Sequence, residues 1–465
     1  MLPHFIYTCI ASLLGSSLTN ATLVQPPDIA IFLTDQQQAA MMSIAGAQGL
    51  NTPTMDTLAL QGVRFTHAYC PTPQCSPTRS AYWTGRYPHR TGVMGNVKNR
   101  PPVPAGMSGP LDHAIPNIAK IFAPAGYETV YFGKWHLGGV PCDYGFETCS
   151  PERLHGEDLT VRAIEFLQKR RLLAQPRRPL LFIVSWVNPH DIYQITKPEK
   201  LDIPTDTPVT LPKNLRDDLR HKPFPQRHFL QQDQGKVVAN YTDNDWKRYI
   251  RYYRQLTETV DAQIGRVLAE FRLNAPQSLV IFASDHGDSA GSHGLPFKSP
   301  AMYEELVRVP LIFSWPDHLK AGVSDALVSP IDLLPTLCDL ANIKAPEGMD
   351  GRSLRPLLNQ PAKTPADWRD AIFVEYYGKQ NWRAPIRMIR TERWKYVRYL
   401  QYGNELYDLN ADPHEMNNLA GKPAHADRQK TLADRLDQWI SQTRDPFNKL
   451  TVTDRAGKVL TDEPQ

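Results

Sequence analysis

The 465 residues carry a formal net charge of +4, with 41% apolar and 22% charged residues. That length admits a large core and two or three domains. The mild charge, with no lysine or arginine tract, argues against nucleic acid as a partner and leaves room for an anionic substrate drawn to a local basic pocket. The 41 prolines lie between patterned segments, which indicates many fixed loops rather than disorder.

The N-terminal run from Phe5 to Leu14 is apolar and is followed by small polar residues from Gly15 to Ala21. It is too short to span a bilayer. Residues 1–24 are therefore expected to be an export signal, with a buried N-terminal segment as the alternative, since no lysine or arginine precedes the run. No other stretch reads as a membrane span.

Asp28 to Asp35 is a continuous apolar run ending in an acid. It predicts a buried parallel strand with functional groups at its carboxyl end. A helix is expected over 53–60 with Thr52 as its N-cap, then a short strand over 63–69. Next comes Cys75-Ser76-Pro77-Thr78-Arg79, leading to Trp83-Thr84-Gly85. A proline two residues after the cysteine suits a first helical turn, where its missing N–H costs nothing. An anion near that turn would meet free backbone N–H groups and the Arg79 guanidinium. On chemistry alone the segment is either an anion-binding cysteine site or a turn carrying a stray thiol.

Further along, a helix is expected over 115–125, and a strand over 127–132 that delivers Gly133-Lys134-Trp135-His136. A helix over 158–173 follows, then a strand over 179–187 that ends in Asn188-Pro189-His190-Asp191. Residues 195–240 show little periodicity and read as a long insertion loop. A long helix over 245–271 precedes a strand over 278–283 that ends in Ser284-Asp285-His286-Gly287-Asp288. A strand over 309–313 and a helix over 331–341 complete an alternation that predicts a mostly parallel α/β sheet flanked by helices. After a connector over 348–365, short strands over 371–376, 387–390, 394–399 and 405–407 and a helix over 428–441 predict a smaller antiparallel sheet with one helix. The expected division is a catalytic α/β part over 25–365 and a small C-terminal α+β part over 366–465.

There are six cysteines. Cys9 falls in the expected signal, and Cys142 and Cys149 could pair in an exported protein. Cys70 and Cys338 read as buried, and no spacing resembles a zinc site. Four strand ends carry polar residues: Asp35-Gln36, Lys134 with His136, His190, and Asp285-His286. In a parallel sheet such ends share one edge. Singly each is more often a cap than a ligand, but together with the cysteine segment they form a constellation.

Cys75, Pro77 and Arg79, with Thr84-Gly85, resemble the signature of the type I sulfatases. The order of the strand-end residues is similar to that family over nearly the whole chain beyond the signal. Trp83 stands where the family usually has leucine. The resemblance implies an alkaline-phosphatase-like fold and conversion of Cys75 to formylglycine by a maturation enzyme, the hydrated aldehyde being the nucleophile. It also implies a divalent cation, usually calcium, beside Cys75. Asp35 and Asp285 would be its carboxylate ligands, with Gln36 and His286 where the family often has Asp and Asn. Oxygen donors suit a hard cation. The softer His286 nitrogen keeps magnesium or manganese as alternatives.

Arg79, Lys134, His136, His190 and Lys298 match the family's basic cluster around nucleophile and sulfate. Preorganised cations and a metal stabilise the charge that builds as the S–O bond breaks. His190 or Lys298 would protonate the leaving oxygen and His136 would act as the base; His293 has no firm role. The implied activity is hydrolysis of a sulfate ester, of a sulfated carbohydrate by family habit, to an alcohol and inorganic sulfate. The implied location is periplasmic or extracellular, or lysosomal in a eukaryote. The loops at 95–115, 142–158 and 195–240 are expected to wall the pocket, with Trp246, Trp382 and Arg383 as candidate sugar contacts. The rival readings are a phosphonate or phosphate diester hydrolase of the same superfold and a non-catalytic binder of sulfated glycans.

Overall fold

The computed structural model describes residues 26–97, 109–151, 154–197, 201–205, 207–379, 382–454 and 456–459. The expected signal over 1–24 lies outside the described residues. Eight strands form the larger sheet: β1 (Ile29–Asp35), β2 (Val63–Phe65), β3 (Glu128–Gly133), β4 (Thr148–Cys149), β5 (Leu180–Pro189), β6 (Leu279–Ser284), β7 (Leu311–Ser314) and β8 (Gly322–Ser324). Their order is β4-β3-β5-β1-β6-β7-β2-β8. β1 is buried at every position and pairs in parallel with β5 on one side and β6 on the other.

Burial on both faces explains why β1 reads as an unbroken apolar run. Ile31 and Leu33 pack with Tyr82, Trp83 and Leu334. These side chains belong to the helices Cys75–Thr84 and Leu333–Leu340. Ala30 and Phe32 pack on the opposite face with Ala163, Leu167, Val260 and Ile264. Those come from the helices Gly156–Arg171 and Asp243–Asn274. The sheet departs from an all-parallel arrangement at β7, which runs antiparallel to both β6 and β2.

Three local expectations are corrected. Thr52 occupies the N-cap of the helix Pro53–Leu60 without a side-chain capping bond. Its hydroxyl instead donates to Asp56 Oδ1 at 3.1 Å. The helix expected over 115–125 is only Ile118–Phe122, capped by Asn117, whose side chain accepts from the N–H groups of Ala119 and Lys120. The expected loop over 195–240 contains a helix, Phe224–Gln232. Its inward face includes a polar residue: Gln226 is buried and donates to Tyr399 and Glu405 at 2.9 Å each. That hides the apolar period.

The smaller sheet has β9 (Ala371–Lys379), β10 (Trp382–Thr391), β11 (Trp394–Tyr399) and β12 (Gly403–Asp408) in the antiparallel order β12-β11-β10-β9. The helix Ala426–Thr443 covers it through Leu432, Leu436, Trp439 and Ile440. Cys142 and Cys149 are joined in a disulfide, while Cys70 and Cys338 are buried free thiols. Among the described residues no helix is long and apolar enough to cross a membrane.

Candidate active site

The strand register brings the polar ends together. Asp35 pairs with Pro189, Thr34 with Ser284, and Gly133 with Ser185. Asp35, Lys134, His190 and Asp285 therefore leave the sheet on one edge. Gly133 turns the chain into Lys134 with φ of 92°, and a Cβ there would lie 2.1 Å from the Ser185 carbonyl oxygen. Only glycine fits that turn.

The helix Cys75–Thr84 starts at the same edge and ends on Gly85 in the left-handed conformation. All of its residues are buried. Arg79 lies one turn after Cys75, on the same face. Its Nε donates to Asp285 Oδ2 at 2.9 Å and its Nη2 to Asp35 Oδ2 at 3.0 Å. Nη1 donates to the Lys134 carbonyl at 2.7 Å and to Ser185 Oγ at 2.8 Å. The anions that meet this guanidinium are thus the protein's own carboxylates.

Each carboxylate keeps its other oxygen toward the centre. Asp35 Oδ1 is 3.7 Å from Cys75 Sγ and 3.9 Å from His286 Nε2. Asp285 Oδ1 is 3.7 Å from His286 Nε2 and accepts the N–H groups of Gln36 and His286. Burial and the Cys75 charge push the Asp35 pKa up, but Lys134, His190 and Arg79 outweigh them and hold it well below the carboxylate range. Burial, followed by the Asp35 charge, pushes Asp285 up to about 6.

The cations gather on Cys75. Lys298 Nζ lies 2.9 Å from Sγ and Lys134 Nζ 3.7 Å from it, with Lys134 also 2.5 Å from Asp35 Oδ2. Burial opposes ionisation of the thiol. Lys134, Lys298 and His286 prevail, helped by a hydrogen bond from His136, and hold its pKa well below the usual value. His190 also reaches Cys75. Burial and Lys134 drive its pKa down to about 4.

The donor set fits a divalent cation. Ligand atoms of Asp35, Cys75, Asp285 and His286 all lie within 4.8 Å of one another. His286 Nδ1 sits 2.9 Å from the Gly287 carbonyl, an acceptor, so Nδ1 keeps its proton and Nε2 is the nitrogen that would give up its own to ligate a cation. Gln36 Oε1 is buried without a hydrogen-bond partner among the described residues, an orphan acceptor of the kind a cation satisfies.

Every predicted site residue converges here. Trp246 and Trp382, by contrast, are buried and pack on Gly291 and His228, which makes them core aromatics rather than sugar contacts. Arg383 lies over the Tyr377 ring. His293 is a structural tie, bonded through Nδ1 to Asp217 Oδ2 at 2.7 Å and stacked on Tyr303. Sequence reasoning missed Ser185, Asp288 and Tyr249. Asp288 lies in the same turn as Asp285, three residues on. The others give no local signal, being an ordinary strand serine and an ordinary helix aromatic.

The chain matches the Sulfatase family model over residues 27–343 and the model for the C-terminal part of N-sulphoglucosamine sulphohydrolase over 291–442. It is 30% identical to a Delta 4,5-hexuronate-2-O-sulfatase of Bacteroides thetaiotaomicron, over 92% of each chain. It is 28% identical to an N-acetylglucosamine-6-O-sulfatase of the same organism, over 92% of this chain and 88% of the relative. The solved structure of a 2-O GAG sulfatase superposes with a TM-score of 0.80 at 28% identity, covering 92% of this chain and 95% of the other. A phosphonate monoester hydrolase of Agrobacterium radiobacter shares the fold, with a TM-score of 0.75 at 23% identity over 94% of this chain and all of the other. The Sulfatase match alone spans more than half of the chain and contains the whole strand-edge constellation, so the chain belongs to the sulfatase family and is a sulfuric ester hydrolase.

Proposed function

We propose that this sulfatase removes sulfate from a sulfated carbohydrate, with Cys75 converted to formylglycine and a calcium ion held by Asp35, Gln36, Asp285, His286 and the converted residue. The observation that carries this reading is the placement of Cys75 Sγ. Lys298 Nζ stands 2.9 Å and Lys134 Nζ 3.7 Å from it, while His286 Nε2 stands 3.2 Å and Asp35 Oδ1 3.7 Å away. A nucleophile at that point has both cations for the sulfate and donors for a metal within reach. When present, formylglycine supplies a hydrated aldehyde nucleophile and the cation supplies Lewis-acid stabilisation.

The chain's own residues do the rest. Lys134 and Lys298 offset charge on the non-bridging oxygens, in a buried setting where such charges act strongly. His190, neutral in the free site, gains a proton as an anionic ester enters. Together with Lys298 it is the donor to the leaving oxygen. His136 is the base that restores the site after transfer. Arg79 orients the two carboxylates and does not contact the sulfate. The relatives' names support a sugar substrate. The Cys142–Cys149 disulfide supports passage through an oxidising compartment, in keeping with export. The part beyond residue 365 is the smaller of two units and helps to wall the site, through Lys379 Nζ bonded to the Lys298 carbonyl at 2.7 Å.

The test is co-expression with a formylglycine-generating enzyme, mass spectrometry of the Cys75 peptide, and sulfate release from 2-O-sulfated unsaturated uronides and 6-O-sulfated N-acetylglucosamine, with phosphonate and phosphodiester controls. Conversion together with sulfate release, both lost in Cys75→Ala, is the expected result. Faster turnover of the phosphorus esters would overturn the substrate assignment. A thiol that survives the maturation enzyme would overturn the nucleophile.

A further inference from the structure

Gln36 has φ of 71°, in the left-handed region that such a residue rarely adopts. It is held there at three points. Its N–H donates to Asp285 Oδ1 at 3.1 Å, its carbonyl accepts the Tyr253 hydroxyl at 2.6 Å, and its Nε2 donates to Asp288 Oδ2 at 2.7 Å. Asp288 is fully buried. Its second oxygen accepts the Tyr249 hydroxyl at 2.9 Å and the Ala290 N–H at 2.8 Å.

Asp288 Oδ1 is already taken by the Tyr249 O–H and the Ala290 N–H, and Oδ2 accepts from the Gln36 Nε2. The carboxylate therefore selects the NH2 end of the Gln36 amide and leaves the amide oxygen as the free end, buried and without a hydrogen-bond partner among the described residues. The same carboxylate reaches the other half of the site. The Tyr249 hydroxyl, while donating to Asp288, receives the Phe297 N–H at 3.0 Å. Phe297 has φ of 56° and stacks on Tyr193 at 4.1 Å, immediately before Lys298. Tyr249 and Tyr253 lie one turn apart on the helix Asp243–Asn274. One helix face thus clamps the Gln36 turn and the Lys298 loop together.

We propose that Asp288 is a positioning residue shared by both halves of the site: it presents the Gln36 amide oxygen to the cation, and through the Tyr249 hydroxyl it sets the backbone that carries Lys298. This rests on the metal reading above. In Asp288→Asn the Ala290 N–H and the Tyr249 O–H still require an acceptor, so the new amide oxygen stays with them and its NH2 faces Gln36. The Gln36 amide then turns over and offers NH2 where the cation needs oxygen. Adding Gln36→Glu cures this, since one oxygen of the new carboxylate accepts from the amide at position 288 while the other remains a ligand.

The experiment is calorimetric calcium titration of the calcium-free full chain, with circular dichroism to check the fold and kinetics on the matured enzyme. Asp288→Asn should weaken calcium binding by about 10- to 100-fold, the usual cost of losing a residue that orients a ligand. Asp288→Asn with Gln36→Glu should recover most of that affinity. Tyr249→Phe should leave calcium binding and KM near wild type and lower kcat. Wild-type binding that Asp288→Asn leaves unchanged, or a double variant that binds no tighter than the single one, overturns this proposal alone. A wild-type chain with no saturable binding of calcium, magnesium or manganese overturns the metal reading as well. If Asp288→Asn fails to fold, the double variant should fold, because every donor again meets an acceptor; collapse of both, or an unchanged kcat in Tyr249→Phe, counts against the proposal.

Discussion

Arg79 and Lys298 divide the work of the site at the scale of single residues. Arg79 is buried between two carboxylates that it keeps apart and aimed. Arg79→Ala strips Asp285 of its guanidinium and leaves Asp35 to Lys134 alone, which should cost about 3–5 kcal/mol in urea unfolding. Arg79→Lys keeps the charge, but a single ammonium cannot fork to both carboxylates, so sulfatase activity should fall even where the fold survives. Lys298→Ala removes the cation nearest Sγ and should lower kcat by about 100- to 1,000-fold, with unfolding little changed. The residue types and the order of the constellation were legible in the sequence because strand ends and the cysteine segment mark themselves. The direction in which a side chain points was not. Arg79 carried the expected charge but turned it inward, and Tyr249 lay unmarked in a long helix.

Elements were legible where local chemistry punctuates them. Pro77 and Gly85 bracket the helix Cys75–Thr84, and the unbroken apolar run of β1 announces a strand buried on both faces. The helix Phe224–Gln232 stayed hidden because a buried glutamine interrupts its apolar face. The reversed direction of β7 left no mark, since period-two patterning does not encode polarity. β3 gives the element-scale prediction. Gly133→Ala must fit a Cβ against the Ser185 carbonyl in a left-handed backbone. Overpacking costs about 1–3 kcal/mol and the left-handed conformation about 1–2 kcal/mol. Thermal denaturation should therefore show a loss of about 2–5 kcal/mol. Calcium binding should change little in whatever fraction folds, because Gly133 supplies no ligand.

At the scale of the molecule, the contact between the segment after the cysteine helix and the smaller sheet is what no local pattern could reveal. His89, just after the cysteine helix, bonds through Nδ1 to Glu375 Oε2 at 2.7 Å and through Nε2 to the Thr443 carbonyl at 3.2 Å. Both partners are acceptors, so both ring nitrogens carry protons and the imidazole is charged. Burial opposes that charge, but Glu375 outweighs it and the His89 pKa is raised. A histidine with a raised folded-state pKa contributes stability that is complete below its ordinary value near 6.5 and fades as pH climbs through the folded value. The stability difference between wild type and His89→Gln should be about 1.5–3 kcal/mol at low pH and should shrink toward pH 9, read by urea unfolding at both ends. A difference that grows with pH would show that the tie works through a neutral ring.

Because the entire helix Cys75–Thr84 is buried, a second enzyme has no access to Cys75 once the chain has folded. On the formylglycine reading, modification and folding are competitors for the same nascent segment. The active fraction of a preparation is then a ratio of two rates rather than an equilibrium property. The thiol form is then a kinetic dead end, folded but inactive. Slower folding, at low temperature or while the chain is still being made, should raise specific activity without raising yield.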